Sequence, residues 1–303
     1  MNLHKRLENS HDLLEMCILF QLQDTDLDDI VVPHLLLSQW KTLNISRNSL
    51  TNISKLVSAM IQKQTIRALW LEGNNLSSGF DLANLLDASP CLQVLSLNHN
   101  CLTDVGVAQL ASVSRCSLRE LWLDSNGLTS AAGPSIGKIL SSWSSLQQMY
   151  LNGNRIGDEG FNCMIWALTS SHCNLEVLSL NRNEITDVSM QALADAMYCS
   201  KLKLETVWLA NNYISVIGVD TLARGVKLGL SSCNQIYLPA NPLIERDNIL
   251  MALGALADIL ELRHSKWMKI VLVMLHCSRT VTIRYKLPPD IVRRIATVLN
   301  PKI

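Results

Sequence analysis

Eight asparagines, Asn48, Asn74, Asn100, Asn126, Asn154, Asn183, Asn212 and Asn241, recur at steps of 26, 26, 26, 28, 29, 29 and 29 residues. Each closes the same phrase, cleanest in Leu92-x-x-Leu95-x-Leu97-x-x-Asn100-x-Leu102. A period in this range admits few folds. A unit of that length makes one short strand and one helix, and neither buries its apolar face until neighbouring units stack on it. The expected fold is therefore an α/β solenoid: a horseshoe with a parallel sheet on the concave face and helices on the convex face.

Within each phrase two apolar residues flank one outward residue: Leu43/Ile45, Leu69/Leu71, Leu95/Leu97, Leu121/Leu123, Met149/Leu151, Leu178/Leu180, Val207/Leu209 and Ile236/Leu238. Period two describes a strand with one buried face. The asparagine that follows turns the chain, and its amide can satisfy backbone groups that the core would otherwise strand. The eight amides are thus expected to form an internal, structural ladder. Downstream, Thr103-Asp104-Val105-Gly106, Gly157-Asp158-Glu159-Gly160 and Thr186-Asp187-Val188-Ser189 place capping residues and acids where helices should begin. Apolar residues then follow at helical spacing, as in Val107, Leu110, Ala111 and Val113, or Met190, Leu193, Ala194 and Met197. A degenerate phrase, Cys17-x-x-Phe20-x-Leu22-x-x-Thr25-x-Leu27, reads as an atypical first repeat; terminal repeats are atypical because one face meets water.

This spacing, the Leu-Asn phrase and the helical half resemble the ribonuclease-inhibitor class of leucine-rich repeats, which also includes the repeat domains of Ran GTPase-activating protein, tropomodulin and the NOD-like receptors. The resemblance implies an atypical capping repeat over 1–36, eight leucine-rich repeats over 37–262 and a basic helical cap over 263–303. The 26-residue steps of the first half are shorter than the class pattern and imply shorter helices there. The class hosts inhibitors, activators, sensors and scaffolds, so it constrains fold more than function.

Function is sought at the outward position between the two buried residues, which faces the concave side. It holds Asn44, Trp70, Ser96, Trp122, Tyr150, Ser179, Trp208 and Tyr237. Five of these eight are Trp or Tyr, although aromatics make up only 5% of the chain. Aromatics suit strands for structural reasons, yet a stripe of them on a rigid surface also supplies binding hot spots. In the resemblance, tryptophans at matching positions contact the protein ligand, which carries over to Trp70, Trp122 and Trp208. Flanking polar residues, including Glu72, Asp124 and Arg182, make a mixed rim around aromatic anchors. The expected partner-binding set is Trp70, Glu72, Trp122, Asp124, Tyr150, Arg182, Trp208 and Tyr237.

Other chemistries find little support. Acids beside the aromatics and a formal net charge of zero disfavour a nucleic-acid groove. Gly133-Pro-Ser-Ile-Gly137-Lys138-Ile139 has one residue too few between its glycines for a phosphate loop and lacks its Ser/Thr. The seven histidines show no ligand spacing, so neither a metal nor a cofactor is expected, nor catalysis. Nine cysteines without CxxC pairing read as reduced thiols. The stretch Leu13 to Phe20 is short, carries Glu15 and lacks a cleavage site, so it is not read as a secretory signal. Charges interrupt Ile249 to Cys277, which is not read as a membrane span. A monomer in the cytoplasm or nucleus is the expected setting, and the glycosylation-like Asn44-Ile45-Ser46, Asn52-Ile53-Ser54 and Asn75-Leu76-Ser77 are chance matches.

From Arg263 onward nine Lys/Arg face one acid, Asp290. Lys286-Leu287-Pro288-Pro289-Asp290 opens a helix with an apolar stripe of Ile291, Val292, Ile295, Val298 and Leu299. As structure, this caps the last repeat. The phrase also resembles the opening of an F-box and the Pro-rich end of a SOCS box, which implies recruitment of a ubiquitin ligase. The leading expectation is a non-enzymatic module, scaffold, inhibitor or sensor, that holds a partner protein on its concave aromatic face. The alternatives are a substrate receptor of a ubiquitin ligase and a GTPase-activating regulator.

Overall fold

The computed structural model describes residues 15–17, 23–24, 27–114, 116–197, 199, 202–215, 217–222, 233 and 235–241. Nine three-residue strands pair in parallel and in chain order: β1 (Glu15–Cys17), β2 (Thr42–Asn44), β3 (Ala68–Trp70), β4 (Val94–Ser96), β5 (Glu120–Trp122), β6 (Gln148–Tyr150), β7 (Val177–Ser179), β8 (Thr206–Trp208) and β9 (Gln235–Tyr237). Between them run α1 (Val32–Leu37), α2 (Ser54–Lys63), α3 (Phe80–Ala88), α4 (Thr103–Leu110), α5 (Gly133–Ser142), α6 (Gly157–Leu168) and α7 (Val188–Met197). A π-turn, Leu27–Val31, precedes α1, and a 3-10 turn, Ser130–Ala132, precedes α5. The sheet forms the concave wall and the helices the convex one, as the period demands.

The shorter steps do shorten helices, α3 and α4 having nine and eight residues against twelve in α6. The exception is α2, whose ten residues equal α7. Both apolar residues of each phrase are buried, and one continuous core runs from Met16 to Leu238. The segment that echoes a phosphate loop is the first two turns of α5, with Ile136 and Ile139 in the core.

The asparagines join neighbouring repeats. Nδ2 of Asn212 donates to Leu209 O in its own repeat at 3.0 Å and to Leu180 O in the preceding one at 2.9 Å, while Oδ1 accepts from Asn183 N and Ile185 N at 2.8 and 3.1 Å. Asn74, Asn100, Asn126, Asn154, Asn183 and Asn241 are likewise buried, and each donates to a carbonyl of the preceding repeat and accepts from a backbone N–H there. Asn48 donates to Ile45 O at 2.7 Å. To point each amide inward, the residue before it takes a left-handed conformation. Arg47, Gly73, His99, Ser125, Gly153, Arg182, Asn211 and Ala240 all have φ between 53° and 67°. Only two of these eight are glycine, so the ladder imposes backbone strain that six side chains tolerate.

One expectation needs correction. The register pairs Met16 with Leu43, so Met16 takes the position that the first-repeat phrase gave to Phe20. A strand is set by its neighbour's hydrogen bonds, and a degenerate phrase does not resolve a four-residue slip. The acids stand at the helix starts as expected, Asp104 and Asp158 in the first turns of α4 and α6, and their carboxylates reach the following repeat. Asp104 accepts from Thr129 N and Oγ1 at 2.8 and 2.6 Å, Asp158 from Thr186 N and Oγ1 at 3.0 and 2.6 Å, and Asp187 from Ser215 N and Oγ at 2.6 and 2.5 Å. Asp24 holds Thr51 in the same way, at 2.8 and 2.5 Å. Burial works against its charge, but the hydrogen bonds from Thr51 and Asn52 prevail and hold its carboxyl below the ordinary value.

Candidate functional site

The parallel register places Asn44, Trp70, Ser96, Trp122, Tyr150, Ser179, Trp208 and Tyr237 in one row across the sheet. Opposite their buried neighbours, the five rings stand on the concave face as two groups. Trp122 and Tyr150 stack with centroids 4.0 Å apart and planes 21° apart, and Trp70 leans toward Trp122 at 6.0 Å and 55°. Trp208 and Tyr237 stack at 4.2 Å and 15°. The two tyrosines are oriented alike: Tyr150 Oη donates to Gln148 Oε1 at 2.8 Å and Tyr237 Oη to Gln235 Oε1 at 3.1 Å.

The serines in the row explain this grouping. Ser96, between Trp70 and Trp122, is wholly buried, so the two indoles close over it. Its Oγ, like Trp122 Nε1, has no hydrogen-bond partner. Ser179 separates Tyr150 from Trp208 and is tied down, its Oγ donating to Asn152 Oδ1 at 2.6 Å.

Two residues further on, just past the strand ends, a second ladder runs across the concave wall. Asn98 Oδ1 accepts Asp124 N at 2.7 Å, Asp124 Oδ1 accepts Asn152 N at 2.6 Å, Asn152 Oδ1 accepts Asn181 N at 2.9 Å and Asn181 Oδ1 accepts Ala210 N at 2.7 Å. Asp124 therefore bonds within the wall as well as facing the rim, and its Oδ2 also accepts from Asn152 Nδ2 at 3.2 Å. Burial pushes its carboxyl above the ordinary value, against the hydrogen bonds from Asn152 and the nearby His99, while Glu72 raises it further.

Of the expected binding residues, the fold brings Trp70, Glu72, Trp122, Asp124 and Tyr150 together on β3 to β6 and the loops that follow. Trp208 and Tyr237 lie further along the same row. Glu72 pairs loosely with Arg47 at 3.8 Å, an exposed contact of little energetic consequence. Arg182 is not beside the rings. Its left-handed position lies past the strand end, where it lines a shallow hollow of about 280 Å³ with Gly153, Asn154, Arg155, Glu184, Asn211 and Tyr213. The tail from 263 to 303, with the helix expected over Leu287 to Leu299, lies outside the described residues.

Several exposed apolar side chains lie on the helices, where the strand phrase carries no signal for them. Trp166 on α6 is 81% exposed, and Phe80, Val105, Val188 and Ile217 line the helix starts. A helix-face count at Trp166 would have found it, since its i−4 and i+3 neighbours are polar. Among the described residues there is no group of His, Cys, Asp and Glu that could hold a metal ion, and no helix long and apolar enough to cross a membrane.

Residues 88–111 and 171–194 match the family description "Leucine Rich repeat". These are leucine-rich repeats of the ribonuclease-inhibitor-like class. Mouse ribonuclease inhibitor is 32% identical over 164 residues, covering 52% of this chain and 35% of that protein. The macaque (Macaca mulatta) NACHT, LRR and PYD domains-containing protein 3 is 36% identical over 104 residues, 33% of this chain. The repeat protein thus matches about a tenth of that relative's length, 10%. The crystal structure of human trophoblast glycoprotein, Wnt-activated inhibitory factor 1, covers 72% of this chain and 76% of its own with a TM-score of 0.50 at 18% identity, a likeness of fold.

Proposed function

We propose that this leucine-rich repeat protein is a non-enzymatic interaction module, cytoplasmic or nuclear, that holds a partner protein on its concave face. The observation that carries this reading is the single row in which Trp70, Trp122, Tyr150, Trp208 and Tyr237 share one strand position. Stacked rings have little rotamer freedom left to lose on binding, which is how aromatic anchors contribute affinity at low entropic cost. The two asparagine ladders hold the wall beneath them, so the partner meets a preformed surface. A standard interface of about 1,600 Å² spans several strands of such a wall, enough to engage both ring groups at once.

The test is affinity purification with mass spectrometry on the wild type and on the Trp122→Ala, Trp208→Ala double variant, followed by titration of the recovered partner. Both rings stand outside the core, so the double variant should fold while binding weakens by more than about 2 kcal/mol. Equal affinity of a folded double variant would remove the concave row as the binding site.

A further inference from the structure

The two ring groups differ in their electrostatic surroundings. Two strand rows flank the aromatic row. One holds Thr42, Ala68, Val94, Glu120, Gln148, Val177, Thr206 and Gln235, the other Ser46, Glu72, Asn98, Asp124, Asn152, Asn181, Ala210 and Pro239. Their only charged members are Glu72, Glu120 and Asp124. All three are acids, and all lie beside Trp70, Trp122 and Tyr150. In those two rows the neighbours of Trp208 and Tyr237 are Thr206, Gln235, Ala210 and Pro239, all neutral, although the acids Glu176 and Glu205 stand one residue before β7 and β8. We propose that the Trp70–Trp122–Tyr150 group receives a cationic side chain, arginine above all, projected by the protein partner. The proposal rests on the concave reading above and adds the chemistry of what that face recognises.

Ring faces carry the negative lobe of the aromatic quadrupole and attract cations, more so where water is partly excluded. Trp70 and Trp122, 55° apart with centroids 6.0 Å apart, form a wedge whose floor is Ser96. The floor is incomplete as it stands, since Ser96 Oγ is buried without a partner. A planar guanidinium stacks on an indole face and still turns N–H donors toward an acceptor, which a compact ammonium does less well. The carboxylates sit within electrostatic reach: after burial, Glu120 and Asp124 are the charges that raise the Tyr150 phenol's affinity for its proton. The exposed Arg67 and Arg119 precede β3 and β5, and neither forms an ion pair with these acids among the described residues.

Asp124 supplies the second argument. Asn98, Asn152 and Asn181 perform the same ladder function with a neutral amide. An amide at 124 would keep the acceptor for Asn152 N but lose the one for Asn152 Nδ2. Within the fold the acid serves that one further bond at 3.2 Å, whereas a cation bound on the neighbouring rings would use its charge.

The full chain is titrated with N-acetyl-arginine amide and with its uncharged isostere, N-acetyl-citrulline amide, while the tryptophan indole N–H signals are followed by NMR. A Trp122→Phe spectrum assigns the decisive signal. The expected result is a saturable shift of the Trp122 indole with the arginine amide and at least about fivefold weaker binding of the citrulline amide. Glu120→Gln, a side chain outside both ladders, should weaken the arginine amide at least about threefold, and the Trp208 indole should not respond. No saturable shift, equal binding of citrulline, or an indifferent Glu120→Gln variant would overturn the proposal. If any of these occurs while the double tryptophan variant loses its partner, the concave reading stands and the cation assignment alone falls.

Discussion

Asn126 and Asn154 occupy equivalent ladder positions, yet replacing each by leucine should cost different amounts. Asn126 donates to Leu97 O at 2.9 Å and Asp124 O at 3.2 Å and accepts from Leu102 N at 3.3 Å. Both carbonyls have a second donor, Asn100 Nδ2 for Leu97 O and His99 N for Asp124 O. Removing the amide therefore strands one group, the buried Leu102 N–H. Asn154 accepts from Asn126 N at 3.0 Å and Leu128 N at 3.1 Å and donates to Leu123 O at 3.0 Å and Leu151 O at 2.9 Å. Only Leu151 O has another donor, Asn183 Nδ2, so three groups are stranded. At about 1–3 kcal/mol for each buried unpaired group, Asn126→Leu should destabilise by about 1–3 kcal/mol. Asn154→Leu should cost roughly 3–6 kcal/mol, less than a full sum because the groups are neighbours. Urea unfolding followed by far-ultraviolet circular dichroism compares the midpoints. Hydrogen exchange at Leu128 locates the loss, since that amide should open in the Asn154 variant only. Equal midpoints, or a milder Asn154→Leu, would refute the counting of stranded groups.

Gly133→Ala should destabilise by about 1–3 kcal/mol, because a Cβ there would lie 2.6 Å from Gly160 Cα and 2.8 Å from its carbonyl oxygen, forcing α5 and α6 apart. The check is the thermal midpoint, and an unchanged value would show that these helices separate freely. Asp124→Asn should flatten the pH dependence of stability, the relief of the buried charge being offset by loss of the acceptor for Asn152 Nδ2. Burial lifts the carboxyl above 3.8, so the folded chain holds a proton that the unfolded chain has lost. The stability linked to that proton is complete below 3.8 and disappears as pH rises through the folded value. Urea midpoints between pH 3 and 8 test this. A variant as pH-dependent as the wild type in that window would show that Asp124 is not the titrating group.

The sequence made the solenoid, the buried leucines and the concave position of the rings legible because each follows from a strict period. Legibility ended where geometry between repeats decides. Nothing in Asp104 or Asp158 distinguishes a carboxylate that caps its own helix from one that reaches the next repeat's threonine. The left-handed row before the ladder was equally hidden, since residues as unlike as Arg182, His99 and Ala240 fill it. The spacing placed Arg182 on the binding rim, but past the strand end the chain has turned and carries it away from the rings. The division of the aromatics into two groups rests on Ser179, whose significance lies in its bond to Asn152 and not in its type. In the first repeat, a loose phrase lost to the hydrogen-bond register.

Rigidity and recognition share the concave wall, and the second ladder is where they meet. Asn98, Asn152 and Asn181 use their side-chain oxygens on the next repeat's backbone, so they have little to offer a ligand without weakening the sheet. The rings two residues earlier carry no such duty. Among the described residues, Trp122 Nε1 has no partner, and the Tyr150 and Tyr237 hydroxyls bond only to their own strands. Substitutions in the ladder row should therefore change stability first and affinity only as a consequence, while substitutions in the ring row should do the reverse. Asp124 belongs to both rows' concerns, which is why its replacement by asparagine should separate them: a protein whose stability depends less on pH and that binds a cationic partner less well.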